Sequence, residues 1–174
     1  MILSRIFQNY LKRRKCWLFA VLEVIWVTVD NGGDGLIAAR HLKLFGIESE
    51  IFYPKRPKSD VLEALVQQAE GMEIPFLKEL GADLPARYFL FLDAIFGYSF
   101  KGAEIREPFK SVISQVKGSG LPVISIDLPS AWDPEKGNLL GSFEPQAVVS
   151  MAAPKICSKF YKGIHYLGAR FVPP

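Results

Sequence analysis

Three near-continuous apolar runs constrain this chain more than any other feature. They occupy residues 21–29, 87–97 and 121–130. A strand buried on one face alternates apolar and polar residues, whereas a strand buried on both faces does not. Runs of this kind predict a parallel sheet covered by helices on both sides.

The segments between the runs carry the helices. Residues 32–45 place Leu36, Ala39 and Leu42 at helical spacing, and Gly46 supplies a stop. Residues 48–53 read as a strand. Ser59 is a candidate cap for a helix with Val61, Leu62, Leu65, Val66 and Ala69 on one face, closed by Gly71. Residues 72–77 read as a short strand or turn. Residues 104–117 read as a helix with Phe109, Val112, Ile113 and Val116 on one face, and residues 146–153 and 168–173 as further strands. The alternation is that of a doubly covered sheet.

The chain has 174 residues, enough for one domain with a sizeable core. The net charge of +3 conceals an asymmetry. Arg5, Lys12, Arg13, Arg14 and Lys15 precede any acidic residue, and the remainder has 16 basic and 18 acidic residues. The body therefore has no basic excess to suit nucleic acid, and no nucleic-acid partner is expected. The basic head and the apolar run behind it fit a surface helix leading into a core strand, a mitochondrial import segment or a membrane anchor. Cys16 and Cys157 do not make a disulfide framework.

In parallel sheets of this kind ligands bind outside the carboxyl ends of the strands. The three runs end there in "DNGGDG", "DAIFGYSFKG" and "DLPSAWD", and all three ends hold an aspartate. The first, residues 30–35, suits either a phosphate cradle at a helix N-terminus or a glycine-rich turn with an Asp cap. It has neither the Gly-x-Gly-x-x-Gly fingerprint nor a P-loop lysine. Asp93 lies inside an apolar run and needs partners, from a cation, a ligand or nearby amides. Gly97, Tyr98, Ser99, Phe100, Lys101 and Gly102 form a polar-aromatic loop that suits a phosphate and a ring, or an exposed turn. Asp127 closes the third run, with Ser130 after it, and suits proton exchange or capping. Lys155, after the run at 146–153, is a weaker candidate. His41 and His165 read as structural or surface residues, with no Ser/His/Asp arrangement evident.

These residues resemble the NAD(P)H-hydrate epimerase family, also called the YjeF amino-terminal domain family, some of whose vertebrate members are named for binding apolipoprotein A-I. The resemblance rests on "NGGDGLIAARHLKLFG", "IFYPKRP", "DAIFGYSFKG", "IREPF", "SIDLPSAWDPEKG" and "HYLGARFVPP", in family order and spacing. It implies an α/β, Rossmann-like three-layer sandwich with a mainly parallel sheet over residues 27–174, behind a divergent basic and apolar segment, residues 1–26. It also implies a chain shorter than the family at both ends. The implied activity is epimerisation of the R and S forms of hydrated NADH and NADPH, the S form then being consumed by a separate dehydratase. The alternative is a catalytically weakened member that binds a nucleotide or a protein.

Carried over residue by residue, Asp30, Asn31, Gly32, Gly33 and Asp34 would contact substrate, as would Gly97, Tyr98, Ser99, Phe100, Lys101, Gly102, Ala103 and Asp127. Asp127 is the candidate acid/base. Asn31, Asp93 and Ser130 would hold a potassium ion. The resemblance further implies a homodimer and apolipoprotein A-I as candidate partners, and a mitochondrial, cytoplasmic or secreted location. Two positions depart from the family: Asp30 stands where an amide is usual, and Ala131 where "PSGWD" has glycine.

Overall fold

The computed structural model of the chain describes residues 23–28, 32–56, 59–100 and 104–168. The strands are β1 (Glu23–Thr28), β2 (Ser49–Phe52), β3 (Phe76–Leu77), β4 (Tyr88–Ala94), β5 (Val123–Ile126), β6 (Ala147–Met151) and β7 (Ile164–Gly168). The helices are α1 (Gly32–Leu44), α2 (Asp60–Glu70), the single turn α3 (Leu84–Arg87) and α4 (Phe109–Ser119), with a 3-10 segment at Ile156–Phe160. The strands form one sheet in the order β3-β2-β1-β4-β5-β6-β7. Every pairing is parallel. The winding reverses between β1 and β4, and a crevice at such a reversal is where ligands bind.

Both faces of the sheet are covered, as the unbroken apolar runs require. Side chains alternate faces along a strand. In β4, Leu90, Leu92 and Ala94 join a core with Leu36, Ala39 and Leu42 of α1 and Val66 and Ala69 of α2. Phe91, with Ile95 just beyond β4, joins the opposite core with Phe109, Val112, Ile113 and Val116 of α4. Each of the larger of these side chains contributes about 1.5–3 kcal/mol by leaving water. By the same alternation Asp93 falls on the α4 side, in register with Ser125 of β5.

Several boundaries differ from the sequence pattern, each for a local reason. The helix expected at 104–117 begins only at Phe109, because Pro108 precedes it and the residue before a proline is pushed out of helical backbone. The run 121–130 stops being a strand after Ile126, because Asp127 adopts φ 72°. The last strand lies at Ile164–Gly168 rather than 168–173, and residues 169–174 fall outside the described residues. It escapes the periodicity because Ile164 and Leu167 remain half exposed on an edge strand. Ser59 occupies the cap position of α2 but makes no side-chain capping bond, whereas Gly46, at φ 73°, ends α1 as expected. Among the described residues no helix is long and apolar enough to cross a membrane; the basic head lies outside them.

Ala131 also sits in left-handed backbone, at φ 67°, and is buried in the α4-side core. Replacing it with glycine relieves about 1–2 kcal/mol of backbone strain. The exchange loses about 0.8 kcal/mol of methyl burial and about 0.4–1 kcal/mol through the freer unfolded chain. Ala131→Gly is therefore expected to fall within about 1 kcal/mol of the parent by urea unfolding. A larger stabilisation would show that the alanine methyl contributes nothing to the core.

Candidate active site

The carboxyl ends of β1, β4, β5 and β6 share one edge of the sheet. Asp93, at the end of β4, is fully buried. Its Oδ1 accepts from the Ile95 N–H at 3.2 Å and from the Ser130 hydroxyl. Its Oδ2 accepts from the Ser125 hydroxyl at 2.7 Å and the Ser130 N–H at 2.8 Å. Burial raises the Asp93 pKa above the ordinary carboxylate value, and the Ser130 and Ser125 bonds oppose that shift. The Ser130 hydroxyl also accepts from the Phe96 N–H at 2.9 Å, and its carbonyl accepts from the Ser142 hydroxyl at 2.9 Å. Asp93 thus fastens the loop after β5 to the end of β4.

That loop carries Asp127. Its backbone N–H donates to the Val149 carbonyl at 2.8 Å, and its left-handed φ turns the chain away from the sheet. Asp127 Oδ1 accepts from the Met151 N–H at 3.2 Å and from the Lys155 ammonium. Among the described residues Oδ2 has no hydrogen-bond partner. Oδ1 is therefore pinned, while Oδ2 is uncommitted among the described residues.

Asp34, half-buried in the first turn of α1, completes the cluster. The helix N-terminus favours its charge. Burial outweighs that and raises its pKa, the Asp127 carboxylate adds to the rise, and Lys155 opposes it. Asp34, Asp127 and Lys155 therefore share one electrostatic neighbourhood, drawn from the ends of β1, β5 and β6.

In the loop after β4, Gly97 is buried while Tyr98 and Ser99 are exposed. Phe100 is half-buried, with one face of its ring taken. It stacks on Phe96 at 4.9 Å between centroids, beside the α4 core. Asp30, Asn31, Lys101, Gly102 and Ala103 lie outside the described residues. Among the described residues a Cβ at Gly33 would meet the Leu62 and Leu65 side-chain carbons, at 3.6 and 3.7 Å. Gly33→Ala is thus expected to leave the melting temperature unchanged or slightly higher. If a ligand approaches the backbone there, the substitution weakens NADP binding at least several-fold by calorimetry; unchanged binding would show that this glycine only turns the chain.

Sequence reasoning passed over one member of the cluster, Ser125, the lone polar residue in "VISI", which is the same signal that marks Asp93. Lys155 stood out only weakly because nothing in the sequence pairs it with Asp127. Ser150 and His165 do meet, Oγ to Nε2 at 2.8 Å, and Ser150 Oγ lies 3.3 Å from the Asp127 carbonyl. Ser150 is completely buried, so it is a support for the loop rather than a nucleophile.

A potassium ion takes oxygen ligands, as hard cations do. Asp93 and Ser130 offer oxygens, and a cation would offset the burial of the carboxylate. The donor set fits by chemistry, although both Asp93 oxygens already accept protein bonds.

Fold and site together define a doubly wound α/β domain with a cluster of acids at the carboxyl ends of its strands, beside the switch point. The family model described as YjeF-related protein N-terminus matches residues 3–157. The chain belongs to that family. It is 48% identical over 149 residues to an NAD(P)H-hydrate epimerase of Neurospora crassa, covering 83% of this chain and 62% of the relative. It is 44% identical over 147 residues to an NAD(P)H-hydrate epimerase of Aspergillus fumigatus, covering 82% of this chain and 60% of the relative. The crystal structure of yeast YNL200c superimposes with a TM-score of 0.82 at 35% identity, covering 95% of this chain and 75% of that one. The chain thus spans about three fifths of the length of these two epimerases.

Proposed function

We propose that this chain is an isomerase that interconverts the R and S forms of hydrated NADH and NADPH, so that an S-specific dehydratase can complete the repair. The observation that carries this reading is the 48% identity to a relative named for the activity. Asp127 supports it, with Oδ1 pinned and Oδ2 without a hydrogen-bond partner among the described residues.

The carbon to be inverted bears a hydroxyl and adjoins the ring nitrogen. In one route an acid protonates the hydroxyl and it leaves as water while the nitrogen lone pair forms an iminium. Water then adds to the opposite face and returns a proton to the base. In the other route the hydroxyl gives up its proton and the carbon–nitrogen bond opens to an aldehyde, the nitrogen taking the electron pair and a proton. Reclosure on the other face reverses these transfers. Both routes need a positioned proton carrier and no redox cofactor. Asp127 Oδ2 serves as that carrier, and Asp34 and the loop from Gly97 to Ala103 hold the dinucleotide.

Asn31, Asp93 and Ser130 would hold potassium, which would fix the loops that contact substrate. Matched solutions of potassium and choline chloride test this, because a ligand of the folded state raises its melting temperature. A homodimer, apolipoprotein A-I and a mitochondrial, cytoplasmic or secreted location are further parts of the reading. Sedimentation, capture on purified apolipoprotein A-I and imaging of the full chain test them.

The deciding experiment supplies R-form hydrated NADPH together with an S-specific dehydratase. Conversion faster than spontaneous epimerisation is the expected result. Conversion at the spontaneous rate, with NADP still bound, would replace the enzyme reading by that of a binding member.

A further inference from the structure

Lys155 makes three hydrogen bonds, to Asp127 Oδ1, to the Met151 carbonyl at 2.9 Å and to the Ala153 carbonyl at 3.1 Å. An ammonium has three N–H donors, so its capacity is filled. Its side chain is only 13% exposed, and that of Asp127 only 10%. Both loops it joins hold a non-glycine residue in left-handed backbone, Asp127 at φ 72° and Ala152 at φ 63°. Such residues persist only where their surroundings over-determine them. The Lys155 ammonium supplies that constraint from both sides, tying the carboxylate of one strained residue to the carbonyls that flank the other.

We propose that Lys155 is a positioning residue that fixes the Asp127 carboxylate by its Oδ1 and so presents Oδ2 to the ligand crevice. With no free N–H, the lysine acts through Asp127 rather than on a ligand. The Ser150 hydroxyl near the Asp127 carbonyl and the Met151 N–H on Oδ1 complete the support. The kinetic consequence rests on the epimerase reading; the pair itself does not.

Two measurements test it. With R-form hydrated NADPH and an S-specific dehydratase, Lys155→Ala is expected to lower kcat about 100-fold, the scale of an ångström of misplacement. KM should stay within about threefold, since no substrate contact is removed. Added ethylammonium should recover part of kcat by filling the vacated ammonium position. Activity within about threefold of the parent would overturn the proposal. So would a loss confined to KM, or a loss that tracks melting temperature and does not respond to ethylammonium.

The second measurement uses the parent chain labelled with nitrogen-15, at low temperature. A Lys155 ammonium held by three acceptors gives a slowly exchanging side-chain resonance, and Asp127→Ala, which takes away one acceptor, removes or broadens it. If the resonance is absent, the proposal fails whatever the kinetics. If it is present in a chain that does not epimerise, the pair stands and the epimerase reading is what fails.

Discussion

Replacing Asp127 by asparagine lowers turnover of R-form hydrated NADPH by about 10²–10⁴-fold, the usual contribution of one positioned proton carrier. The amide has nearly the shape of the carboxylate. It can still accept the Met151 N–H, and it still lies within reach of Lys155. What it cannot do is exchange a proton at the position of Oδ2. The effect is therefore expected in kcat, with NADP binding by calorimetry within a few-fold of the parent. Some stability is lost as well, because the Lys155 ammonium keeps two carbonyl partners but no anionic one. Breaking such a pair from one side leaves a charge without its counterion. Turnover measured well below the variant's melting temperature separates the two effects. Full activity in Asp127→Asn would remove Asp127 from the chemistry and leave it a loop anchor.

The fold was readable because its strongest signal is physical. A strand covered on both faces has to be apolar throughout, and the runs at 87–97 and 121–130 are apolar except where the site interrupts them. Asp93 stood out for that reason, and Ser125 carries the same signal more quietly. The ends of elements were less readable, since they depend on single residues in unusual backbone. Nothing in "SIDLPS" shows that Asp127 leaves the strand at φ 72°. The partner of Asp127 was hidden for another reason. Lys155 is 28 residues away, and their contact exists only because β5 and β6 are neighbours in the sheet. Phe100 had a partner that the sequence did not show either, since its ring stacks on Phe96.

Asp93 is where the fold and the site depend on one side chain, and removing it should cost the most stability. Asp93→Ala takes the acceptor from four buried donors: the Ser125 and Ser130 hydroxyls and the Ile95 and Ser130 amides. The hydroxyls can rotate toward other acceptors. The two amides cannot, and each orphaned buried donor costs about 1–3 kcal/mol. A loss of about 2–6 kcal/mol follows, less whatever is regained by no longer burying a carboxylate. For a domain of this size each kcal/mol lowers the melting temperature by about 2–4 °C. Asp93→Asn should cost roughly half as much, about 1–3 kcal/mol, because its carbonyl oxygen can serve one amide while its NH₂ faces the other. Equal melting temperatures for the alanine variant and the parent would mean that these bonds only balance the burial of the charge. The alanine variant should also lose turnover at temperatures where it is still folded. Ser130 is held through Asp93, and the segment that Ser130 closes is the one that aims Asp127.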